Sequence, residues 1–165
     1  MRQMILNAIF FNFSWLGLIL VGNYFIPISL AWLAWHVSEC EERDKEVVLI
    51  CCLALTGFIV DSVLIHLSIF DFGGDMQVIP LWLITLWACF AATLRHSLSF
   101  MQKHILLPII AGGALAPLSY FAGVKLGAVS FPQPTVVTFP VLSLIWMSIL
   151  LTVNSILKKE EASYA

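Results

Sequence analysis

Apolar residues fill six stretches of this 165-residue chain, and short polar or charged connections separate them. Most of these stretches have the length and low charge expected of helices that cross a lipid bilayer. The pattern predicts an all-α fold, a polytopic membrane protein built as a bundle of six transmembrane helices in one transmembrane domain spanning residues 1–165. The predicted helices cover residues of about 4–20, 24–37, 47–69, 79–98, 105–126 and 136–157.

The first two stretches are separated only by Val21, Gly22 and Asn23, and Pro27 follows in the first turn of the second helix. A proline there is harmless because the first turn of a helix has no internal partner for its N–H. These residues predict an antiparallel helical hairpin. The second helix is short, so it is expected to tilt little, to thin the bilayer or to continue through residues 38–39. A re-entrant hairpin is the alternative.

Basic residues lie almost entirely on one side of this arrangement. Turns at residues 71–75 and 127–135 lie on the other side. The positive-inside bias then predicts a multi-pass protein of the bacterial inner (plasma) membrane with both termini cytoplasmic, N-in and C-in. The first stretch is expected to be a retained helix, since no small-x-small cleavage site follows it. The basic residues on the predicted cytoplasmic side are Arg2, Arg43, Lys45, Arg95, Lys103, Lys158 and Lys159, and Lys125 lies opposite.

Composition supports the same location and excludes several classes of function. Hydrophobic residues make up 61% of the chain and charged residues 11%, which is too apolar for a soluble domain of this size. The net charge of −2 and the scattered bases give no surface for nucleic acid. The four cysteines form no C-x-x-C pair, so no disulfide or zinc framework is expected. We expect the lipid bilayer as partner, no cofactor, and leave a protein partner or homo-oligomer open.

Asp61 is the main candidate for a functional residue, because an ionised carboxylate inside a transmembrane helix costs about 2.5 to 3.5 kcal/mol. It lies about 12 Å from the end of its predicted helix, and the same depth can be counted on the other helices. This depth selects Trp32, Trp87, Tyr120 and Trp146 among the aromatic residues, with Trp32 and Trp87 expected to line an apolar wall. The predicted binding residues are Asp61, Ser62, Asn12, Thr85, Ser119, Tyr120 and Trp32.

Two interpretations of the Asp61 layer stay open. In the first, a cavity between the midplane and the outer face lets Asp61 bind a cation or a polar head group, or exchange a proton. In the second, a protonated Asp61 hydrogen-bonds Asn12 or Tyr120 and holds helices together, at roughly 0.6 to 2 kcal/mol per bond. The first interpretation is favoured because acids are rare at that depth.

A second polar layer lies at the predicted cytoplasmic ends of the helices. Its histidines come from separate helices, with no acid three or four residues away and no H-E-x-x-H motif. We therefore predict no metal site. Arg95 and His96 are expected to anchor their helix and contact lipid phosphate. The residues of this layer are Asn7, His36, Arg95, His96 and Asn154.

Small residues form a stripe along the fifth predicted helix. Such stripes let helix backbones approach one another in a membrane, so close packing is favoured over a ligand groove, with the closest contact expected at Gly123. Pro117 beside the stripe frees the carbonyl of Gly113, which a side chain must satisfy unless it lines a cavity. The stripe consists of Gly112, Ala116, Ser119, Gly123 and Gly127.

Motifs spread over nearly the whole chain resemble a known family, the small bacterial inner-membrane proteins grouped as domain of unknown function 2878. The resemblance implies a multi-pass membrane protein without an established activity, cofactor or partner, and no catalytic residue is carried over from it. The motifs are Asn7 with Trp15, Gly22-Asn23, Asp61-Ser62, residues 80–83 (PLWL), residues 90–97 (FAATLRHS), residues 117–120 (PLSY), Gly123 and Gly127.

These observations predict a protein that binds or translocates a small solute or lipid at the polar layer around Asp61. One alternative is an intramembrane lipid-modifying enzyme that uses Asp61 with His66, or His96, as general acid or base. Asp61 and His96 would then be separated by more than about 10 Å along the membrane normal. The other alternative is a non-catalytic membrane subunit or scaffold. Whether the protein is an enzyme is left open.

Overall fold

A computed structural model describes residues 2–162, which fold into helices joined by turns and short loops, with no strand in that range. The predicted all-α fold is confirmed. Short 3₁₀ helices at Gly22–Phe25 and Ser99–Lys103 and a π-helical turn at Ala111–Leu115 complete the structure. The α-helices are α1 (Arg2–Val21), α2 (Ile26–Glu39), α3 (Arg43–His66), α4 (Leu81–Leu94), α5 (Leu106–Ile110), α6 (Ala116–Lys125) and α7 (Thr135–Ala162).

Four helical stretches in residues 2–162 have the length and apolarity needed to cross a membrane: Gln3–Glu39, Arg43–His66, Leu106–Lys125 and Thr135–Glu160. These stretches indicate a membrane protein. The first of them contains both α1 and α2, so these four stretches hold five of the six predicted helices, and α4 is the sixth. Six crossings stay a prediction.

The stretch Gln3–Glu39 folds back on itself. Gly22 adopts a φ of 63°, a left-handed conformation that glycine reaches without steric cost. Beyond this turn the Phe10 ring stacks on Trp32 with centroids 6.3 Å apart, and Asn7 comes within 3.5 Å of His36. Pairing of early residues of α1 with late residues of α2 confirms the predicted antiparallel hairpin.

Helix α4 is shorter than predicted, with 14 residues from Leu81 to Leu94 rather than residues 79–98. It rises only about 21 Å, less than the roughly 30 Å of a hydrocarbon core. The amide of Leu98 bonds the carbonyl of Thr93 at 2.8 Å, so the chain turns away where the helix was expected to continue. Helix α4 lies inside the bundle, with more than half of its residues buried. Its buried residues are Leu83, Thr85, Trp87, Cys89, Ala91, Ala92, Thr93 and Leu94.

The stretch Leu106–Lys125 contains the π-helical turn directly before Pro117. Proline cannot donate a backbone hydrogen bond, and an extra residue in the turn accommodates the resulting gap. The hydroxyl of Ser143 on α7 donates to the freed carbonyl of Gly113 at 2.7 Å. Of the two outcomes expected for this carbonyl, a side-chain donor or a place in a cavity wall, the structure shows the side-chain donor.

The small-residue stripe approaches another helix closely, but not at the residue that was expected. A Cβ atom added to Gly112 would lie 2.6 Å from the backbone nitrogen of Met147, so α7 approaches here backbone to backbone. A Cβ at Gly123 would meet only Cγ1 of Val129, at an ordinary 3.6 Å. The closest contact is therefore at Gly112, and the expectation for Gly123 was wrong because spacing along one helix does not show which small residue faces a neighbouring backbone.

The two ends of the bundle differ in chemistry. At one, which we call the basic end, Arg95 forms ion pairs with Glu42 at 2.8 Å and with Glu160 at 3.4 Å. At the other, the bridge end, the backbones of Asp71 and Ser130 exchange hydrogen bonds of 3.0 and 2.7 Å. The basic end joins segments whose basic residues are predicted from the sequence to lie on one side of a membrane.

Candidate functional site

Asp61 is the buried centre of the candidate site, with 1% of its surface exposed. The indole Nε1 of Trp87 donates a hydrogen bond to Asp61 Oδ2 at 2.7 Å. The Tyr120 hydroxyl donates towards the same carboxyl group, 3.1 Å from Oδ2 and 3.2 Å from Oδ1. Helices α3, α4 and α6 therefore meet at one carboxyl group, and both neighbours present a proton to it.

Gly57 makes the contact between α3 and Trp87 possible. It lies one turn before Asp61 on the same face of α3, and a Cβ atom there would come within 2.1 Å of the Trp87 ring. The Trp87 ring also stacks on Trp146, with centroids 4.5 Å apart and planes 8° from parallel. Sequence reasoning missed Gly57, although a glycine four residues before a buried acid was an available signal.

Tyr120 is held by a second group of aromatic side chains. Its ring stacks on Phe70 at a centroid distance of 5.0 Å, and Phe70 in turn stacks on Phe131 at 5.6 Å. Phe70 is 1% exposed, so this contact is part of the packed interior. The loop segments at the bridge end therefore fix the ring that carries the hydroxyl group.

The other predicted residues of the Asp61 layer form no hydrogen bond with the Asp61 carboxyl group in the described structure. Ser62 accepts from the backbone N–H of Ile79 at 3.3 Å, ahead of α4. Thr85 donates to the carbonyl of Leu81 in its own helix at 3.0 Å. Trp32 packs against α4 in a cluster with Cys89 and Ala92. Of the predicted binding residues, the structure brings Tyr120 to Asp61.

Asn12 and Ser119, the remaining two, line a groove of about 680 Å³. Each side chain donates within its own helix, Asn12 to Ala8 at 2.8 Å and Ser119 to Ala116 at 2.7 Å. The rest of the lining is mostly aromatic and aliphatic. Tyr120 also borders the groove, which therefore reaches a residue that contacts Asp61. The tryptophans in the lining are Trp15, Trp82, Trp87 and Trp146.

At the basic end, Asn7 joins three segments of the chain. Its Nδ2 donates to the carbonyl of Ala92 at 2.9 Å and lies 3.5 Å from His36 Nδ1. Its Oδ1 accepts from the hydroxyl of Ser97 at 2.6 Å. The buried amide of α1 is thus tied to α2 and to the end of α4.

Two residues of the predicted basic-end layer, His36 and His96, lie beside two residues that were not predicted. Glu46 Oε1 is 3.0 Å from His36 Nε2 and 3.4 Å from His96 Nε2. Cys40 Sγ is 3.8 Å and 3.7 Å from the same two nitrogens. Burial, followed by the charge of Glu46, raises the pKa of the Cys40 thiol. We call these four residues the His–Cys–Glu cluster.

The sequence-based argument against a metal considered only acids close to each histidine along the chain. It passed over the thiol of Cys40, four residues after His36, and the acid of Glu46, which comes from the next helix. The four potential ligand atoms lie within 4.8 Å of one another. The prediction of no metal site therefore lacked the two residues that complete the cluster.

Arg95 and Asn154 complete the predicted basic-end layer. Arg95 was expected to contact lipid phosphate, but its described contacts are the carboxylates of Glu42 and Glu160. Glu42 also accepts from Lys45, and this hydrogen bond is the main cause of its lowered pKa. Asn154 on α7 is 5% exposed, and its Oδ1 has no hydrogen-bond partner within residues 2–162.

The residues of the enzymatic alternative are not gathered around Asp61. His96 lies against Glu46 in the His–Cys–Glu cluster, 3.4 Å away, while Asp61 lies against Trp87 and Tyr120. His66 is exposed at the end of α3, whereas Asp61 is buried. No geometric observation in the described residues therefore favours an acid–base pair built on Asp61.

Comparison with known proteins gives a family but no activity. No curated protein and no solved structure matched the chain. Among protein-family models, one described as Protein of unknown function (DUF2878) matches residues 4–152. This range contains α2 to α6 entirely, together with the groove, the Asp61 site and the His–Cys–Glu cluster. Because the match covers most of the sequence, the chain belongs to the DUF2878 family.

Proposed function

We propose that this protein binds a lipid-like molecule in the groove, with the polar part of the ligand near Tyr120. The observation that carries this proposal is a groove of about 680 Å³ with a largely apolar lining that reaches the Tyr120–Asp61 hydrogen bond. Ligand sites generally combine such an apolar surface with a few placed polar groups. The prediction of a small solute or lipid ligand is thereby narrowed to an amphipathic one.

The volume and lining of the groove favour an acyl chain over a hydrated solute as the ligand. Small-molecule sites usually measure about 300–1,000 Å³, and this groove lies within that range. Phe11, Leu86, Phe90 and Leu150 contribute to its walls, and none of these side chains can replace hydrogen bonds lost by a desolvated polar solute. An apolar chain has no such bonds to lose.

Asp61 contributes to the proposed site through its two neighbours. Tyr120 and Trp87 border the groove and donate to the carboxyl group, so Asp61 orients the side chains that a ligand would touch. Binding at this site would not require the carboxyl group itself to be exposed. Transport of the ligand across the membrane is an extension of this proposal, and a non-catalytic subunit that needs no ligand is its alternative.

Occupation of the groove can be tested with Ser119→Leu, which adds an apolar side chain to the lining. We expect native mass spectrometry of the protein in detergent to detect co-purified lipid in the wild type and several-fold less in Ser119→Leu. Quenching of tryptophan fluorescence by bromine-labelled phospholipid should fall in parallel, because Trp82, Trp87 and Trp146 line the groove.

Ser148→Leu is the matched control for this experiment. Ser148 lies on the exposed face of α7 and, like Ser119, donates to a carbonyl of its own helix, that of Leu144 at 2.8 Å. The control should retain lipid and quenching at the wild-type level. Equal lipid content in all three proteins would refute binding in the groove and favour the scaffold alternative.

We further infer that the basic end faces the cytoplasm of a bacterial inner membrane, with both termini on that side and six helical segments in the bilayer. The ion pairs of Arg95 and the predominance of basic residues at this end support the orientation. The short α4 would be embedded among the longer helices, since most of its surface is buried.

Reporter fusions test this orientation. A reporter fused after Lys45, Lys103 or Lys159 should report a cytoplasmic location, and one fused near Asp75 or Gln133 a periplasmic location. A cytoplasmic signal near Asp75 would contradict the topology. Because α1 and α2 form a hairpin, a reporter in the 21–24 turn also separates two full crossings from a re-entrant hairpin, which would leave that turn inside the membrane.

A further inference from the structure

The His–Cys–Glu cluster brings four potential ligand atoms close together at the basic end. They are His36 Nε2, Cys40 Sγ, Glu46 Oε1 and His96 Nε2, and all lie within 4.8 Å of one another. The two imidazole rings meet edge to face, with centroids 4.5 Å apart, so both can direct a nitrogen towards the same point. Neither the family nor the proposed groove assigns a role to this cluster.

Four of the six separations between these atoms are close to those around a tetrahedral ion. Zinc bonds of about 2.0–2.3 Å place neighbouring nitrogen, oxygen and sulfur ligands roughly 3.3–3.7 Å apart. The nitrogen–oxygen distances in the cluster are 3.0 and 3.4 Å, and the sulfur–nitrogen distances are 3.8 and 3.7 Å. Small side-chain movements would therefore complete the coordination geometry.

The fold holds the four side chains in place before any ion arrives. His36 and Cys40 are one turn apart at the end of α2, Glu46 lies in the first turn of α3, and His96 follows α4. Asn7 contacts His36 at Nδ1, on the opposite side of the ring from Glu46. The short connection between α2 and α3 thus brings together ligands from two helices, and His96 adds the third segment.

Charge and burial define the class of ion. One thiolate, one carboxylate and two neutral imidazoles would balance a divalent cation, and this mixture of sulfur, nitrogen and oxygen suits the zinc class. His36 and Glu46 are 7% and 2% exposed, whereas Cys40 and His96 are half-buried and leave a route for an ion from the basic end. Arg95 is paired with Glu42 and Glu160, which leaves the Glu46 carboxylate to the cluster.

We propose that His36, Cys40, Glu46 and His96 form a structural site for a divalent ion of the zinc class, which fastens together the basic-end termini of α2, α3 and α4. Four protein ligands fill a tetrahedral shell, and this is typical of structural sites, since catalytic zinc keeps one position for water or substrate. The site is separate from the Asp61 centre and does not depend on the proposed lipid binding.

Cobalt binding tests the site directly, because Co²⁺ replaces zinc and has a visible spectrum. The full-length protein in detergent is stripped with a chelator and titrated with Co²⁺. We expect one ion per chain, tetrahedral d–d bands, and a near-ultraviolet thiolate-to-cobalt charge-transfer band. Adding Zn²⁺ should displace the cobalt and raise the thermal unfolding temperature of the stripped protein.

Variants distinguish a metal site from a hydrogen-bonded cluster. Cys40→Ser should lose the charge-transfer band and bind at least tenfold more weakly, and Glu46→Gln should bind more weakly while keeping that band. Cys51→Ser and His104→Gln are matched controls on exposed residues and should behave as the wild type.

Two results would overturn the proposal. One is the absence of the charge-transfer band in the folded wild-type protein, which would leave a histidine–carboxylate hydrogen-bond cluster only. The other is equal Co²⁺ affinity and spectrum in the wild type and Cys40→Ser. The first result remains decisive even if Cys40→Ser does not fold, since it requires only the wild type.

Discussion

Gly57→Ala should destabilise the protein by about 2–4 kcal/mol, from overpacking of roughly 1–3 kcal/mol and the disturbed hydrogen bond of Trp87 to Asp61. The added Cβ would lie 2.1–2.3 Å from atoms of the Trp87 ring, so the indole must move. Alanine is the better helix former by about 1 kcal/mol, so helix propensity alone predicts the opposite sign. Unfolding in detergent, followed by circular dichroism, measures the difference.

Gly123→Ala is the control for this prediction. Gly123 also lies inside a helix, but a Cβ there meets only Val129, at 3.6 Å. We expect the control to be as stable as the wild type or slightly more stable. If Gly57→Ala were equally stable, Trp87 would not be packed on α3 as described, and the position of the indole beside Asp61 would be in error.

Asp61→Leu should cost about 2–6 kcal/mol, because it leaves the indole N–H of Trp87 and the hydroxyl of Tyr120 buried without an acceptor, at roughly 1–3 kcal/mol each. Asp61→Asn should cost about 1 kcal/mol or less, since its carbonyl can accept from Trp87 and its amide can donate to the Tyr120 oxygen. Unfolding of both variants in the same detergent tests this difference.

A double-mutant cycle identifies the group responsible. Trp87→Phe removes the N–H that Asp61→Leu leaves without an acceptor, so the combined variant should be less destabilised than the sum of the two single changes. If Asp61→Asn were as unstable as Asp61→Leu, the interaction would require an ionised carboxylate, and the assignment of Trp87 and Tyr120 as its sufficient partners would fail. Lipid content of Asp61→Asn then shows whether the acid contributes to the groove.

Several features of the site could be read from the sequence because they depend on position along a helix or on neighbouring residues. The depth of Asp61 within α3 and of Tyr120 within α6 follows from the constant rise per residue, and the two side chains do meet. The hairpin of α1 and α2 also follows from local chemistry, as does the need for a donor to the Gly113 carbonyl that Pro117 frees. Counting residues from the helix end also placed Trp87 at the depth of Asp61.

Depth along a helix does not determine which neighbour a side chain faces. Ser62 has the depth of Asp61 but bonds the backbone of Ile79, and Asn12 borders the groove and bonds its own helix. Their direction depends on how each helix is rotated against its neighbours. That rotation results from packing of residues far apart in sequence, such as Gly57 against Trp87 and Gly112 against Met147.

The sequence by itself determined that the chain is helical and apolar, and roughly which parts of the chain form helices. These properties result from residue type and local spacing. Only the tertiary structure decided that Trp87 covers Gly57 to reach Asp61, and that Cys40 and Glu46 join His36 and His96. Such contacts join separate helices, and they form only where interhelical packing sets both the rotation and the distance of the residues that face one another.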